Sequence, residues 1–212
     1  MKQTLFFLTF AASLTPAWGQ RWELGIGAGG GMYTSLGATN ARGQTADAGL
    51  GRGNAITVSV GQDVSRHFTG EIRYVWQNNP LRLKSGGQTV NFGSQSHSVA
   101  YNFNYNFGQL EDNFRPFVSV GSGMKYFDGT GQEVAVQPLN QFAFLTRTGE
   151  WKPMLTAGLG FKYRMSRNIA LRLEAQNQMT QVPTKVIAPA AGTVLNGWLH
   201  DFLVMGGISL LF

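Results

Sequence analysis

The residues best placed to do chemistry in this chain are two mirrored charge motifs, Glu71-x-Arg73 and Arg172-x-Glu174. A spacing of two puts both charges of a motif on one face if the segment is a β-strand. The order of signs reverses between the motifs, so Glu71 can meet Arg172 while Arg73 meets Glu174. Such a set neutralises buried charge rather than cleaving or transferring anything. Breaking one buried pair typically costs ~3–5 kcal/mol, so the motifs read as a structural interior ion-pair network.

Other reactive groups are few. The histidines are His67, His97 and His200, and cysteine is absent, which removes disulfides, thiolate metal sites and thiol nucleophiles. Ser96, His97 and Ser98 are consecutive, so strand alternation sends each serine to the face opposite the histidine. His200-Asp201 fails as a catalytic pair for the same reason. His97 and His200 fall on strands expected to lie across from one another, both in the outward phase, which prevents a shared metal. The run Gly29-Gly30-Gly31 precedes no helical pattern and is therefore no phosphate cradle. The expectation is a protein that is not an enzyme, with no cofactor and no metal.

The elements that must position the charges are strands. Residues 1–19 are set apart: Lys2 is followed by the apolar run LFFLTFAASL, and Ala17-Trp18-Gly19 has small residues where signal peptidase inspects. At roughly ten residues the run is far shorter than the ~20 of a spanning helix. Residues 1–19 are expected to be a cleaved signal peptide, and residues 20–212 one β-barrel domain. Beyond residue 20 the apolar period is two, not 3.6. Trp22, Leu24 and Ile26 alternate with Glu23, Gly25 and Gly27; Ile72, Tyr74 and Trp76 alternate with Glu71 and Arg73; Leu171 and Leu173 alternate with Arg172 and Glu174. In all, about eight such segments follow, of roughly nine to twelve residues each. Short polar links alternate with long ones of about fifteen to twenty-five residues, unusual lengths for loops of a compact soluble domain.

Sidedness follows from bulk. Eight strands enclose a space just wide enough for side chains. The small set, largely Gly, Ser, Thr and Asn with a few charges, fits inside; the bulky aromatic and aliphatic set must point outward. An apolar exterior on every side is stable in a bilayer, where a closed barrel satisfies all backbone groups. Trp76, Trp151 and Trp198, with Tyr33 and Tyr126, fall near the long connections, and Trp22, Phe68, Phe107, Tyr163 and Phe212 near the short turns. Two such girdles mark membrane interfaces. The expected fold is an all-β, transmembrane, up-and-down antiparallel barrel. Small inward residues such as Gly25, Gly27, Gly121, Gly158 and Gly160 leave a narrow pore or transporter open as an alternative. A secreted lipocalin-like binder is a further one.

With its leader, amphipathic strands, short turns and the ending VMGGISLLF, the sequence resembles small Gram-negative outer-membrane β-barrels of the OmpA transmembrane-domain and OmpX/Ail type. The resemblance implies an outer-membrane location with both termini periplasmic. It also implies that Phe212, with Leu210, Ile208 and Val204, forms the signal read by the barrel-assembly machinery. Gly206 departs from that pattern, standing where a bulkier residue is usual. The implied role is structural or surface-binding, of an adhesion type, with an extracellular ligand at the long loops.

The net charge is +6, yet only 13% of residues are charged, so basicity reflects scarce acids and does not point to nucleic acid. Arg42, Arg52, Arg82, Lys84, Arg147, Lys152 and Lys185 lie in the long connections. Two readings stand there: attraction to anionic lipopolysaccharide head groups or surface partners, and ordinary solvated loop charge.

Overall fold

The structure, a computed structural model, describes residues 21–134, 136–195 and 197–212. The expected signal peptide, residues 1–19, lies outside the described residues. Among these there is no helix. Fifteen strands follow in order: β1 (Trp22–Tyr33), β2 (Leu36–Thr39), β3 (Thr45–Leu50), β4 (Gly53–Asp63), β5 (Phe68–Asn78), β6 (Leu81–Ser85), β7 (Gln88–Phe92), β8 (Ser94–Asn106), β9 (Phe114–Gly129), β10 (Ala143–Leu145), β11 (Gly149–Arg164), β12 (Ile169–Gln181), β13 (Ile187–Pro189), β14 (Val194–Leu195) and β15 (Trp198–Leu211).

Eight of them close a barrel in the order β1-β15-β12-β11-β9-β8-β5-β4, every neighbouring pair antiparallel. Each barrel strand pairs with the barrel strands before and after it in the chain, and β1 pairs with β15 to close the ring. The fold is therefore an all-β up-and-down barrel of eight strands. Period two in the sequence becomes inside and outside: Ile26, Val120 and Leu159 stand 61%, 61% and 63% exposed on the outer wall, while Glu71, Arg73 and Glu174 are buried within. That outer wall has no stable place in water, and a bilayer's hydrocarbon removes the cost. On it the Tyr101 ring crosses the bare backbone of Gly70, where an added Cβ would lie 2.2 Å from the tyrosine oxygen.

Two features depart from the sequence reading. Strands β9 and β11 run for sixteen residues, well past the ~9–11 that cross a bilayer. The long connections are also not irregular. They carry β2, β3, β6, β7 and β14, which form a second, five-stranded sheet in the order β14-β2-β3-β6-β7, and β10 and β13, which pair with each other. These strands have two to six residues, too few to establish a period, and their buried positions are often alanine. One face of the second sheet is apolar. Ala38, Ala48, Leu81 and Leu83 pack there in a core that also takes in Phe142, Leu145 and Ile187 and the barrel residues Phe127 and Leu199.

Candidate functional site

The barrel interior is built from the inward phase of each strand. Glu71 and Arg73 enter from β5, the third barrel strand, and Arg172 and Glu174 from β12, the seventh, which lies opposite in the ring. Arg73 Nη1 donates to Glu174 Oε1 at 2.6 Å and Nη2 to Oε2 at 2.8 Å. Arg172 binds the Glu71 carboxylate through Nη1. Within each strand the motif also closes on itself: Arg73 Nε donates to Glu71 at 2.8 Å and Arg172 Nη2 reaches Glu174 at 2.8 Å. The four residues form a cycle in which each cation touches both carboxylates. Fork-shaped guanidinium groups suit such planar, two-oxygen recognition.

Sequence reasoning placed Glu23 and Lys162 on the inward face but missed their part in this set. Lys162 stands directly across from Arg172 in the β11–β12 register. Its ammonium group binds Glu23 of β1, whose other oxygen lies 3.7 Å from Arg172 Nη1. Three acids thus face three bases within this set. The available signal was alternation itself, since both residues share the phase of the glycines beside them.

The lumen is less uniformly small and polar than its composition implies. Phe117 points inward, its ring 4.7 Å from the Arg172 guanidinium and 5.8 Å from Lys162 Nζ. Gly160 makes that position available, for a Cβ there would come 2.7 Å from the Phe117 ring and 2.4 Å from the Leu173 carbonyl oxygen. Ala55, Val75, Leu203 and Met205 form an apolar cluster within the barrel. The glycine-lined space beside Arg73, Arg172 and Glu174 measures about 20 Å³. That is the room of a single water molecule, for which ~10–15 Å³ suffices.

Toward the long connections a second polar centre forms around Lys125 of β9. Its ammonium group donates to Gln77 at 2.7 Å, Gln178 at 2.9 Å and Asp201 at 2.6 Å. It also lies 4.9 Å from the centre of the Tyr33 ring. Tyr33, read from the sequence as part of a girdle, faces the lumen and bonds to Ser96 at 3.4 Å. The reason is parity: Tyr33 shares the phase of Gly29 and Gly31, not that of Met32.

The other expected residues sit on the outer wall or its rims. Trp76, His97, Tyr126 and Trp151 stand side by side across β5, β8, β9 and β11. His97 is engaged by the Tyr74 hydroxyl at 2.7 Å, and Ser96 and Ser98 are buried on the opposite face. Trp198 opens β15 at the same end, whereas Trp22 opens β1 at the short-turn end beside Phe212. Val204, Ile208, Leu210 and Phe212 are all exposed on the outer face, and Gly206 shares it. His200 meets Asn177 at 3.0 Å and His67 the Asn106 carbonyl at 3.2 Å. Among the described residues no group of three His, Asp or Glu is arranged to hold a metal ion.

The sequence matches the family described as outer membrane protein beta-barrel domain over residues 4–186. No curated protein matches it. Neisserial surface protein A is similar in structure with a TM-score of 0.53 and 12% identity, over 91% of this chain and 98% of that one. Ail, the attachment invasion locus protein of Yersinia pestis, gives 0.49 and 9%, over 91% and 99%. The N-terminal barrel of Pseudomonas aeruginosa OprF gives 0.48 and 14%, over 90% and 97%. At such identities the likeness is one of fold. The secreted-binder alternative is set aside: this chain, with its closed eight-strand ring and greasy outer wall, belongs to the outer membrane protein beta-barrel domain family and so to the bacterial outer membrane.

Proposed function

We propose that this protein is a monomeric, non-conducting barrel that holds a rigid β-platform outside the cell and binds a surface partner through it. Both chain ends lie in the periplasm in this reading, with the short turns. The observation that carries it is the second sheet: its apolar face packs onto Phe127 and Leu199 at the barrel end, so the long connections form a fixed surface instead of mobile loops. The ion cycle and the Lys125 centre support a closed lumen, as does the space beside Gly25 and Gly27, which has room for about one water molecule.

Three contacts belong to the same reading. The outer wall meets outer-membrane lipid, with Trp22, Trp76, Trp151 and Trp198 at the interfaces. Basic residues of the connections, Arg42, Arg52, Arg147 and Lys185 among them, meet lipopolysaccharide. The barrel-assembly machinery reads Val204, Ile208, Leu210 and Phe212. Adherence of cells carrying the wild-type protein, compared with a variant whose residues 36–50 and 81–92 are replaced by short turns, tests the platform. Adherence should fall in the variant while its barrel keeps heat-modifiable gel mobility; equal adherence would remove the surface-binding role.

A further inference from the structure

The two faces of the second sheet differ in kind. Leu81 and Leu83 of β6 point into the apolar core, so Arg82 and Lys84 point the other way, with Asp47 and Gly49 of the neighbouring β3. Against this polar face lies an open cavity of about 220 Å³, lined by Tyr33, Ser35, Asp47, Gly49, Leu50, Arg82 and Lys84. Gly49 lets the connection after β1 approach: a Cβ there would come within 3.3 Å of the Thr34 carbonyl oxygen.

The charges in this cavity are unspent. The exposed side chains of Arg82 and Lys84 make no hydrogen bond or ion pair among the described residues, although Asp47 is directly opposite Lys84 in the register. This contrasts with the lumen, where each buried acid at the level of Glu71 meets a base. Residues two apart on a strand sit roughly 6.6 Å apart along it, a distance that two long cationic side chains bridge easily around one tetrahedral anion. Arg and Lys bind phosphate through charge-assisted hydrogen bonds, Arg in a two-point manner. Asp47 cannot take an anion, but a carboxylate accepts hydrogen bonds from hydroxyl groups. Ser35 adds a hydroxyl to a lining able to hold a polyol, and Tyr33, whose own hydroxyl is turned to Ser96 in the lumen, contributes only a wall.

We propose that this cavity binds a small phosphorylated, hydroxyl-bearing solute, with Arg82 and Lys84 on the phosphate and Asp47 on a neighbouring hydroxyl. The volume is below the ~300–1,000 Å³ of sites for drug-sized ligands and matches a single sugar unit. Position argues for a soluble ligand over a lipid headgroup. Tyr33, which lines the cavity, faces the lumen and stacks on Lys125 at 4.9 Å, so the cavity adjoins the barrel mouth and not the lipid-facing wall. The assignment stands apart from the platform reading, because it needs no macromolecular partner.

The test is isothermal titration of the protein folded in detergent micelles with glucose 6-phosphate, inorganic phosphate and glucose. Binding is expected for glucose 6-phosphate, more weakly for inorganic phosphate and not for glucose, and it should weaken with added salt. Arg82→Ala combined with Lys84→Ala should lower the glucose 6-phosphate affinity at least tenfold. Asp47→Asn should shrink the preference for glucose 6-phosphate over inorganic phosphate. Heat-modifiable mobility verifies that each variant is folded. Absence of heat with the wild type, or unchanged affinity in the Arg82/Lys84 variant, overturns the proposal. Repeating the titration in nanodiscs of phosphatidylcholine with and without lipopolysaccharide separates the two sources of phosphate. Equal affinity in both supports a soluble ligand, and competition by lipopolysaccharide overturns that assignment in favour of a headgroup.

Discussion

Arg73 and Glu174, one hundred and one residues apart in the chain, face each other across the lumen through two parallel hydrogen bonds of 2.6 and 2.8 Å. Their strands share no edge; the pair joins opposite walls of the ring. Glu71 and Arg172 do the same one step along, which makes the four residues a cross-brace.

Removing one arm of the brace leaves an uncompensated buried charge. Arg73→Ala or Glu174→Ala should each lower stability by about 3–5 kcal/mol, read from urea titration of the folded fraction in micelles. Replacing both residues with methionine should cost much less than the sum of the single changes, since apolar side chains of similar volume substitute well for a buried pair. Additive losses would show that the two residues act independently.

Gly160 is the seat for Phe117. Gly160→Ala should destabilise the barrel by about 1–3 kcal/mol, because the new Cβ meets both a ring and an immovable carbonyl. Adding Phe117→Leu should return part of that loss, but not all, since the Leu173 carbonyl stays in place. The same urea titration measures both.

A closed lumen predicts an electrically silent protein. Wild-type protein in planar lipid bilayers should give no single-channel steps, whereas Arg73→Ala with Arg172→Ala, which removes both guanidinium groups from the cross-brace, should give small ones. Regular steps from the wild type would favour the pore alternative.

The second sheet should lose its order separately from the barrel. Leu83 is buried in the core beneath it, and Leu83→Ala should remove about 2–5 kcal/mol from that core. Limited proteolysis should then cut within residues 36–50 and 81–92 while the heat-modifiable barrel survives. Cleavage across the barrel strands would mean that the two layers fold as one unit.

Phe212 separates assembly from stability. Its side chain is 70% exposed, so Phe212→Ala should change micelle stability little. In cells the same change should lower the amount of folded protein in the outer-membrane fraction. Normal amounts there would remove the terminal residue from the assembly signal.

Much of this was legible in the chain because a strand's period of two is local. Ile72, Tyr74 and Trp76 against Glu71 and Arg73 suffice to say which side chains share a wall, and the bulk of one set says which wall meets lipid. The reversed order of Glu71-x-Arg73 and Arg172-x-Glu174 was readable for the same reason. Tyr33 stands at a strand end like the girdle residues yet faces the lumen, because proximity to an end does not give facing and only parity counted from Gly31 does. The strands of the second sheet escaped notice because segments such as TADAGL are too short and too small for alternation to declare itself.

By itself, then, the sequence determined the inside-and-outside pattern, the number of barrel strands and their membrane setting, all consequences of residue alternation and side-chain volume. The tertiary structure decided which distant charges touch, how Glu23 and Lys162 join them, that Lys125 gathers Gln77, Gln178 and Asp201, and that the long connections fold into a sheet over the barrel end. Those relationships depend on how far each strand slides past its neighbour as the ring closes. That stagger is a property of the whole barrel, and no single segment encodes it.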